Sequence, residues 1–285
     1  MDFPPAGRSA VLAPLALLGV AILLLAGSYA QTGEFVKRSF EMKGGTLVSV
    51  KLSQPVSINE ITERLEESFG KAVIRELKGI SGSSIMINVD ESVDGGKVIE
   101  ALNGMGIDTR DSSVQTIGAA IGETFFVQAQ GAVAFAFVLM GIIVFLIFRE
   151  PLPSLYMIFA AFTDIVVTLG FMQLFGIELS FAALGAILML IGYSIDTDIM
   201  LTSRILKQKE GIEIKQKFRQ AFITGITMTG TSIGALTAIL ISSISPVLVE
   251  IASVLMIGLV ADIIVTWLFN APVLGWYVKK RGYAV

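Results

Sequence analysis

Six long stretches of this 285-residue chain carry few or no charges. About 20 mostly apolar residues are needed to carry a helix across roughly 30 Å of hydrocarbon. Within a bilayer, only helices and closed barrels satisfy their own backbone. The stretches fall at about 10–29, 126–148, 152–174, 179–201, 222–241 and 251–277. Their length argues for helices, so the spacing predicts six spans. Only 16% of the residues are charged, against about 25% in soluble domains. The first stretch has features of a cleavable signal, with Arg8 before it and Ser28-Tyr29-Ala30 at its end. Its apolar run is longer than the 7–15 residues typical of a signal core, so it is read as a retained span.

Lys and Arg set the orientation of such a chain. Arg8 precedes span one, and Arg149 lies between spans two and three. Arg204, Lys207, Lys209, Lys215, Lys217 and Arg219 fill the basic loop 202–221 between spans four and five, and Lys279, Lys280 and Arg281 follow span six. These four segments alternate correctly, so both termini are expected in the cytoplasm. The connections 176–178 and 243–250 contain no Lys or Arg and fall outside, together with the long insert between spans one and two. The expected organisation is an N-terminus and first span (1–31), an extracytoplasmic domain (32–120) and spans two to six (121–285).

The insert reads as a small α+β unit. Residues 46–52 are rich in β-formers, and 57–69 repeat apolar residues at helical spacing, with Ser57 and Glu60 placed for a capping box. Residues 71–77 and 84–89 read as strands around a turn near Gly79 and Gly82. Residues 94–105 form a second helix capped by Asp94 and stopped by Gly106, and 107–116 a last strand. The order βαββαβ is the ferredoxin-like pattern. The predicted fold class is therefore a six-helix membrane bundle with one inserted extracytoplasmic domain.

No Cys and no His are present. That excludes disulfides, zinc–thiolate sites and a Ser–His–Asp triad. A net charge of −3 argues against nucleic acid, and no GxxxxGK[ST] loop points to direct use of ATP. No catalytic constellation, cofactor or metal is expected. What remains is a set of carboxylates inside the spans: Asp164, Asp196, Asp198 and Asp262. An ionised carboxylate near the bilayer centre costs at least a few kcal/mol, and such groups commonly serve proton relays or ion sites; interhelical hydrogen bonding is the plainer reading. Asp196 and Asp198 are about 200° apart around a helix and cannot share a face. In span six Gly258, Asp262, Thr266 and Asn270 are each four apart, a polar stripe that should not face lipid. In span five Thr224, Thr227, Thr231 and Gly234 form another, which serves either close packing (with Gly230) or the wall of a polar path. The basic loop fits topology and anionic lipid.

Several segments together resemble the SecF subunits of the SecD–SecF protein-export complex. Phe40-Glu41-Met42-Lys43-Gly44-Gly45-Thr46-Leu47 is similar to the family's DFxGGT motif. Gly192-Tyr193-Ser194-Ile195-Asp196-Thr197-Asp198, continuing to Arg204-Ile205, resembles its GYSxND…DRI segment. Thr163-Asp164 is similar to its HD pair, and Asn270-Ala271-Pro272-Val273-Leu274 to its ASPLL segment. The usual SecF aspartate falls at Thr197, whereas Asp196 occupies the corresponding SecD position. The family's fifth-span Arg and the His before Asp164 are missing, which suggests a divergent, archaeal-type member.

The resemblance implies a subunit of the cell membrane that acts with a SecD-like six-span partner. It assists preproteins through the SecY channel on the proton-motive force, and is related to the resistance–nodulation–division transporters. It also favours Asp196 over Asp198 for coupling. A proton-coupled small-molecule transporter is the alternative; it would need a midplane substrate site, often built from internal repeats, and no convincing repeat is visible. A scaffold whose aspartates only pack is the third reading.

Overall fold

The computed structural model describes residues 8–52, 56–79, 82–207, 213–242 and 244–281. Lys209 and Glu210 of the basic loop, and the residues between Gly79 and Gly82, lie outside the described residues. Among the described residues, six helices are long and apolar enough to cross a membrane. They are α1 (Arg8–Thr32), α5 (Ala119–Phe148), α6 (Pro151–Leu174), α7 (Phe181–Lys207), α8 (Ile214–Ser242) and a sixth running from Pro246 to Lys280. Each matches one predicted span, but α5 begins seven residues earlier and α7 ends six residues later than hydropathy alone indicates. The extra turns carry polar residues such as Glu123 and Arg204, which hydropathy discounts and a helix does not.

Span six is compound: α9 (Pro246–Val265), a π-turn (Thr266–Asn270) and α10 (Ala271–Lys280). The local cause is Pro272, which has no N–H and whose ring would crowd the carbonyl of Leu268 in a regular helix. An i→i+5 turn absorbs the mismatch, and such bulges recur at functional sites. Pro151 and Pro246 sit where helices tolerate them, each opening a helix, where the missing N–H would have had no partner anyway. A two-residue turn joins α5 to α6, with Arg149 left-handed at φ 53°.

Between α1 and α5 lies a four-stranded sheet with two helices. Its elements are β1 (Gly45–Leu52), α3 (Ile58–Phe69), β2 (Val73–Gly79), β3 (Gly82–Val89), α4 (Gly95–Gly104) and β4 (Ser112–Ile117), preceded by a one-turn helix α2 (Phe40–Lys43). The strand order is β2-β3-β1-β4 and every neighbouring pair is antiparallel. Val48, Val50, Ile85 and Ile87 on the sheet meet Ile61 and Leu65 of α3 and Val98 and Leu102 of α4 in one apolar core. Asp94 caps α4, its Oδ1 accepting the Gly96 N–H at 2.8 Å. Two expectations differ. Ser57 makes no side-chain cap hydrogen bond, so the capping box does not close. The last strand starts at Ser112 rather than 107, because Gly106 (φ 78°) and a turn at Arg110-Asp111 intervene.

The sheet unit and the bundle meet at a dense joint. Gly44 (φ 86°) lies so close to α5 that a Cβ there would stand 2.5 Å from the Ala119 Cα. Ser39 N–H donates to the Leu179 carbonyl at 3.0 Å, and Leu179 N–H to the Lys37 carbonyl at 2.7 Å. Arg38 pairs with Glu34 and Glu123, and Lys43 with Glu34. Burial pushes the Glu34 carboxyl up, but hydrogen bonds from Arg38 and Lys43 outweigh it and hold it below the usual carboxylate range. Within the bundle, Gly170 of α6 lets α1 approach at Ala21, the small-residue contact typical of membrane helices.

Candidate functional site

Three of the four in-span carboxylates converge. Asp164 of α6, Asp198 of α7 and Asp262 of α9 are each no more than 1% exposed. Ser194, Asp198 and Thr202 recur every four residues and make one fully buried stripe on α7. The π-turn then aims span six at it. Asn270 Nδ2 donates to Asp198 Oδ1 at 2.6 Å. Thr266 Oγ1 stands 3.2 Å from both Asp198 Oδ1 and Asp262 Oδ1. Ser194 Oγ donates to Asp164 Oδ2 at 2.7 Å, and Asp164 and Asp262 interact directly.

A threonine hydroxyl carries one proton. Thr266 can therefore donate to one of its two carboxyls, and the other contact closes only when that carboxyl brings a proton of its own. Asp164 Oδ1, Asp198 Oδ2 and Asp262 Oδ2 are buried without a hydrogen-bond partner among the described residues. Nor does an ion-pair partner for any of the three occur among them. Three adjacent carboxyls in such a place repel one another when ionised. The arrangement can hold protons, and the number held sets the cost of keeping the helices packed. Among the described residues no group of His, Cys, Asp or Glu is placed to hold a metal ion.

Asp196 is not part of this cluster. It lies on the exposed face of α7, near Gly192 and Tyr193, while Arg204 is half-buried farther along the helix. In span five, Thr227 and Thr231 are exposed and return their hydroxyls to the carbonyls of Ile223 and Met228. Thr224 is half-buried. That stripe therefore does not wall a path to the aspartates; it is the outward face of α8. Gly44 belongs to the joint with α5, and Gly45 opens β1 against the Val89 carbonyl. Sequence reading missed Tyr156, whose Oη is 2.7 Å from Thr202 Oγ1 in a buried pair. Its position eight residues before Asp164 on the same helix was the available signal.

With this geometry in place, comparison with known proteins is informative. The family described as "Protein export membrane protein SecD/SecF, C-terminal" matches residues 97–280. The protein-export membrane protein SecF of Pyrococcus furiosus is 39% identical over 275 residues, covering 96% of this chain and 92% of that one. The SecF proteins of Methanothermobacter thermautotrophicus and Methanocaldococcus jannaschii are each 38% identical; they align with 96% and 94% of this chain and 93% and 94% of their own. Among solved structures, SecDF of Thermus thermophilus, described as a translocon-associated membrane protein, shares the fold with a TM-score of 0.77 at 23% identity. The likeness covers 99% of this chain but only 39% of the SecDF chain. A match over about two thirds of the sequence and end-to-end similarity to several SecF proteins place this multi-pass membrane chain in the SecD/SecF family of protein-export membrane proteins.

Proposed function

We propose that this chain acts in protein export as a SecF-type subunit, coupling proton movement to the packing of its helices and, through the joint at Gly44, to the sheet unit. The observation that carries the coupling is the single Thr266 hydroxyl set between two buried carboxyls. Protonation changes the number of buried charges, and a group bound differently in two conformations shifts the balance between them. The sheet unit, read as an extracytoplasmic ferredoxin-like domain from its βαββαβ order and antiparallel arrangement, would then hold or release an emerging chain. Clients are preproteins leaving a SecY-type channel. In inverted membrane vesicles carrying the export machinery, preprotein uptake should fall when the proton gradient is collapsed. Uptake indifferent to the gradient would overturn the coupling.

The orientation follows from charge. Arg149, Lys279, Lys280 and Arg281 lie at the end of the bundle away from the sheet, which supports a cytoplasmic position for that end. Because the chain has no Cys, single-Cys labelling is clean. An impermeant thiol reagent should reach Ser92→Cys only from outside and Glu213→Cys only from inside. Labelling of both from one side would refute this topology.

A second membrane subunit, of SecD type, is expected against α7 and α8. Asp196, Gly192, Gly230, Thr231 and Gly234 are exposed there, and a Cβ at any of the three glycines would meet nothing within 4 Å. A carboxylate and a small-residue groove facing hydrocarbon are both costly and suited to helix docking. Gly234→Leu should abolish co-purification of the partner while leaving the melting temperature of the isolated chain unchanged. Undiminished co-purification would move the interface elsewhere.

A further inference from the structure

Among the described residues, a run of polar groups leads from the carboxyl cluster toward the turn between α5 and α6. From Asp198 the α7 stripe continues to Thr202, which meets Tyr156 Oη at 2.7 Å. Tyr156 lies within electrostatic reach of both Asp198 and Tyr277 of α10. Tyr277 Oη donates to Glu150 Oε2 at 3.0 Å. Glu150 is held in turn by Arg281, at 2.7 and 2.9 Å. Tyr156, Thr202 and Tyr277 are all buried, whereas the Glu150–Arg281 pair opens to solvent. Hydrogen bonds from Tyr277 and Arg281 hold the Glu150 carboxyl below the usual carboxylate range, so at neutral pH it is an anion facing water.

Toward the sheet the surroundings are mostly apolar, and a cavity of about 710 Å³ runs from Glu34, Arg38 and Glu123 past Ile187 to Ile165, the neighbour of Asp164. Ile187, Leu190, Leu255, Leu259 and Met172 are buried between the cluster and the Ser180–Glu250 hydrogen bond at that end. Gly258 admits Leu190 so closely that a Cβ would stand 2.4 Å from its Cδ2. The buried hydroxyl of Thr168 donates to the carbonyl of Asp164 in its own helix.

Resting on the proton-coupling reading above, we infer that Tyr156 and Thr202 relay protons between Asp198 and Glu150. The transfer balances as a chain of hops. Glu150 takes a proton from water and passes it to Tyr277 Oη. Tyr277 releases its own proton to Tyr156, Tyr156 to Thr202 across their 2.7 Å contact, and Thr202 to Asp198 one turn back on α7; the first and last of these steps close only when the side chains swing together. Each hydroxyl breaks one O–H bond and forms another, and the net change is one proton gained by Asp198. Rotation of the hydroxyls resets the chain.

The test is time-resolved infrared spectroscopy of the full chain after a pH jump, following the carboxyl band that Asp198→Asn removes. Tyr156→Phe and Thr202→Val should each slow its appearance by about a hundredfold or more, the scale lost with a proton-transferring group, at unchanged final amplitude. Thr202→Ser, which keeps the hydroxyl, should restore the wild-type rate. Wild-type rates in Tyr156→Phe and Thr202→Val would overturn the relay and leave the coupling reading standing. So would equal slowing in Thr202→Ser, which would mean that packing alone is at work. If Asp198 in the wild-type chain shows no titrating band at any pH, the coupling reading itself falls, and the relay with it.

Discussion

Asp198→Asn should reduce gradient-driven preprotein export by about a hundredfold or more, the usual loss when a proton-transferring side chain is removed. Association with the partner subunit should be unaffected. The amide keeps an oxygen where Oδ1 now accepts from Asn270 and Thr266, and its –NH2 occupies the place of an oxygen that has no partner. Packing is preserved; only the exchangeable proton is lost. Asp164→Asn and Asp262→Asn should behave alike, since the three carboxyls form one cluster and mutations within such a unit are not additive. Asp196→Asn should be the mild member of the series. Its carboxyl is on the opposite face of α7, turned toward the proposed partner, so its loss should touch association before coupling. Normal export by Asp198→Asn beside a severe loss in Asp196→Asn would reverse this ranking. The assay is vesicle export with and without an imposed gradient, with the amount of assembled complex measured in the same membranes.

That ranking departs from what the motif suggests, and the reason is geometric. Helix periodicity correctly separates Asp196 from Asp198, because two positions are about half a turn. Periodicity cannot say which side faces the bundle. Resemblance to SecD favoured Asp196, whereas burial and the donors on span six select Asp198. Span six was legible as a polar stripe at Asp262, Thr266 and Asn270, each four apart. The π-turn that brings Thr266 and Asn270 onto Asp198 was not, although Pro272 marks the place where a regular helix must yield. In span five the polar-path reading gives way to the close-packing one for a related reason. Thr227 and Thr231 are polar in sequence, but each spends its hydroxyl on its own helix backbone, which lets threonine face outward in a membrane. The insert was read nearly element by element, since amphipathic periods and a cap at Asp94 are local signals. The joint at Gly44 was not, because what makes those glycines necessary is a contact 78 positions away in the chain, at Gly122.

Gly122→Ala should destabilise the chain by about 1–3 kcal/mol or more, the range for forcing an extra methyl into a packed site. A Cβ at Gly122 would stand 2.5 Å from the Gly44 nitrogen and 2.8 Å from the Lys43 carbonyl carbon. Both are backbone atoms, and a Cβ has no rotamer by which to escape them. Either α5 or the turn between α2 and β1 must move. The surrounding ion pairs cannot compensate: Arg38, Glu34, Glu123 and Lys43 are partly exposed, and such pairs are worth no more than about 1 kcal/mol each. Glu91 also binds the Ala119 N–H in the first turn of α5, so a shift there would disturb the sheet through a second contact. Gly131→Ala is the matched control. It lies on the same helix with nothing within 4 Å of the added methyl, and should gain up to about 1 kcal/mol from helix propensity. Denaturation of the two purified variants in the same detergent measures the difference, and limited proteolysis of the sheet unit shows whether it has come loose from the bundle. Equal stability of the two variants would mean that the joint is not a backbone contact. A loosened sheet with unaltered gradient-driven export would mean that motion does not pass through it.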